Sequence, residues 1–326
     1  MEDRRIAVLR ALVEEHIQTG DAVSSRSILE ATGLEVSGAT IRNELAALDR
    51  EGFAVQPHTS AGRIPTAKAY RYYVDHLTPD RLRAGTQQRI AGFFSSVHLE
   101  LGRLLKATTE LLSEITHYPA VAMTPAPAAE LVKALHLVQL GAKTALLVVV
   151  TETGHVSQEL CRLSVPTTPA ELEEAEGVLA SQLVGSELGA KWSLETEVSP
   201  AARAVLRDTE DALGRVASEA AEVYVGGTRQ MASVWDNLST VHRVLEVLER
   251  EAMLLNLLAR TPGTTIQIGG EIRVKDTEDI AVVSTSFDAG VGAGRVGVIG
   301  PMRMDYKKVI SEVEGVSREL GDRIGS

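Results

Sequence analysis

The sequence predicts an α+β chain of two or three domains, and three observations predict it. The 326 residues exceed twice the roughly 150 of a common domain. Hydrophobic residues make up 44% and charged residues 24%, enough apolar material to bury real cores. Segments with helical periodicity at both ends of the chain alternate with short β-rich runs at 134–151 and 265–299. Aromatics are only 4%, so those cores must be built from Leu, Val, Ile and Ala.

Ile6, Leu9, Val13 and Ile17 recur at helical spacing before Gly20, predicting a first helix over 3–19. Ser24 or Ser25 caps a short second helix that Gly33 ends. Ser37 caps a third, with Ile41, Leu45 and Leu48 on its apolar face and Gly52 as the stop. Residues 53–56 read as a strand, 58–62 as a turn and 63–64 as the returning strand. A fourth helix spans 66–77.

Residues 80–117 read as one long helix, because Ile90, Phe93, Val97, Leu101, Leu104, Leu111 and Ile115 keep near-helical spacing. Pro119, Pro125 and Pro127 break the pattern. Residues 134–140 and 144–151 predict a hairpin around Gly141. Acidic, Ala/Glu-rich helices follow at 168–188 and 200–223, then a periodic helix carrying Leu238, Val241, Leu245, Leu248, Ala252 and Leu255. Strands return at 265–268, 280–287 and 295–299, and Asp305 opens a last helix. The strands on either side of 160–225 read as one sheet, interrupted by a helical insertion. The expected division is 1–78, then 79–156 with 223–326, and an inserted 157–222.

Composition excludes several classes. One cysteine, Cys161, leaves no intramolecular disulfide and no cysteine-rich zinc site, and reads as a buried small hydrophobe. No apolar run exceeds 145–150, far short of a membrane span, and the charged start MEDRRIAVLR reads as no secretory leader; the expectation is a cytoplasmic protein. No HExxH, paired-carboxylate or nucleophile–base pattern suggests an enzyme, and no metal or cofactor is expected. The GxGxxG-like run at 292–297 leads into a strand rather than a helix, so it reads as a glycine turn. The net charge of −11 argues against bulk nucleic-acid binding. It is unevenly spread: residues 1–78 hold 9 Lys/Arg against 11 Asp/Glu and the rest 24 against 33, while 52–74 carries Arg63, Lys68, Arg71 and His58 with no acid.

The third helix offers the chemistry. With Ile41, Leu45 and Leu48 turned inward, the opposite face centres on Ala39, Asn43 and Ala46, flanked by Thr40 and Arg42. Small residues permit close approach to a DNA major groove, Asn pairs bidentately with adenine and Arg with guanine. An ordinary solvated helix face would show similar residues. The segment after the helix weighs against that: the turn of His58, Thr59, Ser60, Ala61 and Gly62 between two strands forms a wing whose hydroxyls, with Arg63, suit phosphate. The candidate DNA contacts are therefore Ser37, Ala39, Thr40, Arg42 and Asn43 on the helix, and His58, Thr59, Ser60, Arg63, Lys68, Tyr70 and Arg71 beyond it. Arg63 looks electrostatically unbalanced, its nearest acids in sequence being Glu51 and Asp75. Tyr70, Tyr72 and Tyr73 could equally pack the fourth helix on the core.

The run VSGATIRNELAALDREGFAVQPHTSAGRIPTAKAYRYYVDHL (36–77) resembles the winged-helix domain of the heat-inducible transcription repressor family HrcA, as do LLVVVTETGHV (146–156) and GRVGVIGPMRMDYKKVI (294–310) elsewhere in the chain. The resemblance implies a winged helix-turn-helix, a GAF-like α+β domain and an inserted dimerisation domain. It also implies a homodimer that represses chaperone operons at the CIRCE inverted repeat, with the GroEL chaperonin promoting the active state. The alternatives are a winged-helix regulator whose central domain senses a small molecule, and an enzyme built on that domain.

Overall fold

In the computed structural model the described residues are 3–58, 61–97, 100–125, 130–193, 198–217, 221–231, 235, 238–249, 258, 262–272, 277–289 and 293–324. The N-terminal region runs α1 (Asp3–Thr19), α2 (Ser25–Thr32), α3 (Gly38–Arg50), β1 (Ala54–Val55), β2 (Ile64–Pro65) and α4 (Ala67–Asp75). These match the expected order, and the local signals account for the boundaries. The hydroxyls of Ser24 and Ser37 accept from the backbone N–H of Ser27 and Thr40, and Gly33 adopts the left-handed conformation that ends α2.

The long helix expected over 80–117 is two helices, α5 (Ala84–Ser96) and α6 (Leu101–Thr116). Val97 adopts an extended backbone that ends α5. The apolar spacing continues across the break because both helices pack against the same C-terminal helix, α10 (Tyr306–Ile324). Residues 98 and 99 of that expected helix lie outside the described residues.

The sheets correct the expected division. After α6 the chain runs β3 (Ala120–Met123), β4 (Val132–Gly141), β5 (Thr144–Thr151), β6 (Val156–Arg162), α7 (Pro169–Leu183), α8 (Pro200–Ala217) and β7 (Val223–Gly226). It continues through α9 (Leu238–Glu249), β8 (Thr265–Ile268), β9 (Ile280–Asp288) and β10 (Ala293–Pro301) before α10. The end of the helix expected through Ala252 and Leu255 lies outside the described residues. One antiparallel sheet has the order β7-β3-β10-β9-β8; strands β4-β5-β6 form a second sheet of their own. The hairpin at 134–151 therefore does not join the strands at 280–299. It packs with α7 and α8 around a separate core of Val132, Leu135, Leu147, Val149, Cys161, Leu179 and Leu206.

The excursion begins and ends between paired neighbours. β3 and β7 pair from Ala120↔Gly226 to Met123↔Val223. Just beyond them Thr124 N–H donates to Glu222 O at 3.0 Å, and Glu222 N–H to Thr124 Oγ1 at 2.9 Å. Residues 130–217 thus leave and return through one narrow neck. Burial separates the two sheets as well. β9 and β10 are buried on both faces, as strands covered on either side are. β4 and β5 alternate, with only one face covered. The part of the glycine-rich run that the structure describes lies in β10, where a Cβ on Gly297 would sit 2.5 Å from Val283 O; Gly292 is outside the described residues.

One buried carboxyl lies on α10, the helix that packs against both α5 and α6. Glu312 is 3% exposed, and its nearest cation, Lys308, is 3.8 Å away. Burial pushes its pKa from 4.5 to about 7, against the weaker pull of Lys308 and Arg83. The folded state therefore holds a proton that the unfolded chain releases. Its contribution to stability is present below about pH 4.5 and is lost as pH rises toward about 7. Glu312→Gln should flatten that decline and stabilise the protein at pH 8 by on the order of 3 kcal/mol. Chemical denaturation of both proteins across pH 4 to 8 reads this directly, and parallel pH profiles would refute it.

Candidate nucleic-acid interface

Helix α3 is held by its inner face. Ile41, Leu45 and Leu48 are buried, while Ala39, Arg42, Asn43, Ala46 and Arg50 are exposed. Glu44 lies on the inner face, where Arg4 Nε and Arg5 Nε of α1 each donate to it at 2.9 Å. Burial acts to raise the Glu44 carboxyl, but the two guanidinium groups outweigh it and hold the pKa below the usual value. These ion pairs set the rotation of α3 and keep a negative charge away from its outer face.

The hairpin is tied beside α3. Val55 pairs with Ile64 and Ala54 with Pro65. Val23, just before α2, exchanges two backbone hydrogen bonds of 2.9 Å with Arg63. A Cβ on Gly62 would lie 2.2 Å from Val23 O, so only glycine fits that crossing. Gly62→Ala should pry the hairpin from Val23 and cost about 1–3 kcal/mol of stability. Thermal unfolding would show it, and an unchanged midpoint would disprove the tie. Between α3 and the hairpin opens a cleft of ≈ 380 Å³, lined by Ser24, Ser25, Arg42, Gln56 and Ala61 among others.

The candidate residues divide on this geometry. Ala39, Arg42 and Asn43 share the exposed face of α3, with Thr40 half-buried at its edge. Ser37 is the N-cap, its Oγ 3.0 Å from Thr40 Oγ1. His58 is exposed at the hairpin tip; Thr59 and Ser60 lie outside the described residues. Lys68 is exposed, donating to Glu51 O at 2.8 Å with its ammonium 4.3 Å from the Phe53 ring centre.

Three expectations change. Arg63 is not electrostatically unbalanced, because Asp49 Oδ2 on the last turn of α3 sits 3.0 Å from its Nε. Tyr70 is 1% exposed and its hydroxyl binds His16 Nδ1 at 2.7 Å, so it packs the fourth helix and reaches no surface. Burial pushes its hydroxyl pKa upward, against the weaker pull of Arg303. Arg71 turns away from α3: its Nη1 donates to Ile266 O at 3.2 Å and its Nε lies 3.4 Å from Glu271.

Sequence reasoning passed over Glu44 and Asp49. Glu44 was findable, since it lies three residues after Ile41 and four before Leu48, on the core face, where a carboxylate demands a partner. The Asp49–Arg63 pair joins residues 14 apart in sequence, and no local pattern marks it.

A family model described as the HrcA protein C-terminal domain matches residues 102–310. The heat-inducible transcription repressor HrcA of Nocardia farcinica is 34% identical to the chain, covering 98% of it and 96% of the relative. That of Symbiobacterium thermophilum is 36% identical, with 99% and 98% covered. The chain belongs to the heat-inducible transcription repressor family HrcA. The C-terminal model begins inside α6, so α1–α4 and the hairpin are matched through the near-full-length HrcA relatives instead. A crystal structure titled as a hypothetical protein at 2.2 Å resolution shares the fold, with a TM-score of 0.61, 24% identity and coverage of 100% of this chain and 98% of that one. Both of these HrcA relatives are described as heat-inducible transcription repressors. Among the described residues no group of three or more His, Cys, Asp or Glu could hold a metal ion, and no helix is long and apolar enough to cross a membrane.

Proposed function

We propose that the chain is a negative regulator of heat-shock (chaperone) gene transcription that binds the CIRCE inverted repeat as a homodimer. The observation that carries this reading is the outer face of α3, where Ala39, Arg42, Asn43 and Ala46 stand exposed beside a hairpin fastened to α2. In it, residues 3–75 act as a winged helix-turn-helix, with α3 in the major groove. Ala39, Thr40, Arg42 and Asn43 read bases; Ser37, His58, Thr59, Ser60, Arg63 and Lys68 meet phosphate or the minor groove. The five-stranded sheet with its helices is the GAF-like body, and residues 130–217 are the inserted dimerisation unit.

The open face of β4-β5-β6 supports the dimer. Val138 pairs across β5 with Leu146 and on to Leu160, and Ala134 with Val150 and on to Val156. Val138, Leu160 and Val156 are 47%, 47% and 50% exposed. Apolar rows of this kind, left uncovered on an antiparallel sheet, suit a second copy of the same face. An inverted repeat needs two heads related by a two-fold axis, which such a pairing supplies. Titration of the CIRCE repeat against a scrambled duplex, with and without GroEL, tests the reading. Tight, salt-dependent and sequence-selective binding that GroEL strengthens is expected; equal affinity for both duplexes would overturn it.

A further inference from the structure

The N-terminal region is not strung on a free linker. Its core is continuous with that of the body, where Tyr70 and Tyr306 pack with ring centres 6.2 Å apart, both buried. Charged contacts ring this aromatic seam. Lys307 Nζ on α10 donates to Glu14 Oε1 on α1 at 2.6 Å, and Tyr73 OH donates to the same oxygen at 3.2 Å. Asp80 N–H donates to Lys307 O at 3.1 Å, fastening the chain that leaves α4. On the other side of α4, Arg71 reaches β8 through Ile266 O and the turn after it through Glu271. Glu271 is held in place by Ile268 N–H, which donates to its other oxygen at 2.9 Å. Arg71 Nε and Nη2 are sealed from solvent without a hydrogen bond, so Glu271 holds the guanidinium by charge alone.

We propose that Arg71 is a positioning residue which, together with the Lys307–Glu14 pair, fixes the phase and spacing of the two DNA-reading heads. This rests on the dimeric operator reading above. The physical reason is geometric. If the copies join through residues 130–217, the angle of each α3 to the two-fold axis is transmitted through the body. The Arg71 and Lys307 contacts are where head meets body. A guanidinium bridging a carbonyl and a carboxylate on one rigid edge resists rotation, as a flexible linker does not. Two rigid heads accept half-sites at one separation, set by the helical repeat of about 10–10.5 base pairs. Heads on a loosened joint reach several separations but lose effective concentration at each.

The test measures affinity for the inverted repeat and for versions whose spacer is lengthened by about five and about ten base pairs, half a turn and a full turn. A duplex carrying one half-site is the control. The wild type should lose about 10²–10⁴-fold on the half-turn insertion, the avidity of its second head. Arg71→Ala/Lys307→Ala should bind the single half-site like the wild type, bind the native repeat at least tenfold more weakly, and lose less than tenfold on the half-turn insertion. Arg71→Lys keeps the charge and the helix but not the planar two-way bridge, so it should fall between them; it also serves if the double variant folds poorly. A full spacer preference in either variant, with half-site affinity intact, overturns the positioning role and leaves the operator reading standing. A wild type that binds the repeat no tighter than one half-site overturns both.

Discussion

If the chain pairs through the open face of β4-β5-β6 as proposed, Leu160→Glu should leave it a monomer and abolish tight operator binding. Leu160 is 47% exposed and stands in a cross-strand row with Leu146 and Val138. Its neighbour Cys161 faces the opposite side, 1% exposed against the core of α7 and α8. A carboxylate at 160 therefore leaves that core intact. At the centre of a two-fold interface it would be buried beside its own copy, two like charges without a partner. Loss of the second head removes about 10²–10⁴-fold in affinity for the inverted repeat while single half-site binding persists. Sedimentation and anisotropy titration measure the two consequences separately. A Leu160→Glu protein that still sediments as a dimer would move the interface away from this sheet.

If α3 reads bases as proposed, Asn43→Ala and Arg42→Ala should each cut operator selectivity without unfolding the protein. Both side chains are exposed on α3, so neither truncation opens a cavity in the core beneath Ile41, Leu45 and Leu48. Each lost bidentate base contact costs roughly 1–3 kcal/mol, about 5- to 150-fold in affinity for the operator over scrambled DNA. The melting temperature should stay within a degree or two of wild type. The ratio of operator to scrambled affinity is the measurement, and an undiminished ratio in both variants would take α3 out of base reading. Changes at Arg63 should behave differently. Its guanidinium already faces Asp49, so Arg63→Ala loosens the hairpin's hold on α3 as well as removing a charge.

Local physical chemistry made the N-terminal region legible. Apolar residues at helical spacing, serines at the N-caps and Gly33 at a C-cap each act within a few residues of chain, and they placed α1, α2 and α3. The outer face of α3 came from the same periodicity. Residues 80–117 show the limit of that reasoning. Periodicity reports which face is buried, not whether the backbone is continuous, so two helices on one partner read as one.

The sheets show a different limit. The runs at 145–150 and 280–283 look alike as strings of Val, Leu, Ile and Ala, and both lie in strands. Which strands pair is a long-range matter. β3 and β7, the neighbours that close the neck of the excursion, are four residues each and lie beside a proline-rich stretch and an acidic helical one. Four residues are too few for a period-2 pattern to stand out, and their pairing joins positions about a hundred apart.

The class of elements, the exposed face of α3, the acid-free stretch beyond it and the resemblance to the HrcA family are all legible from the chain alone. Those depend on local spacing or on residue identity, which a sequence carries in one dimension. Only folding makes residues 130–217 a sheet and core of their own, buries Tyr70 on His16, and sets Asp49 to neutralise Arg63. It also sends Arg71 to the body, onto a carbonyl 195 residues away in sequence. A side chain's role as ligand, clamp or core depends on what folding brings within about 3–4 Å of it, and no spacing along the chain encodes that distance.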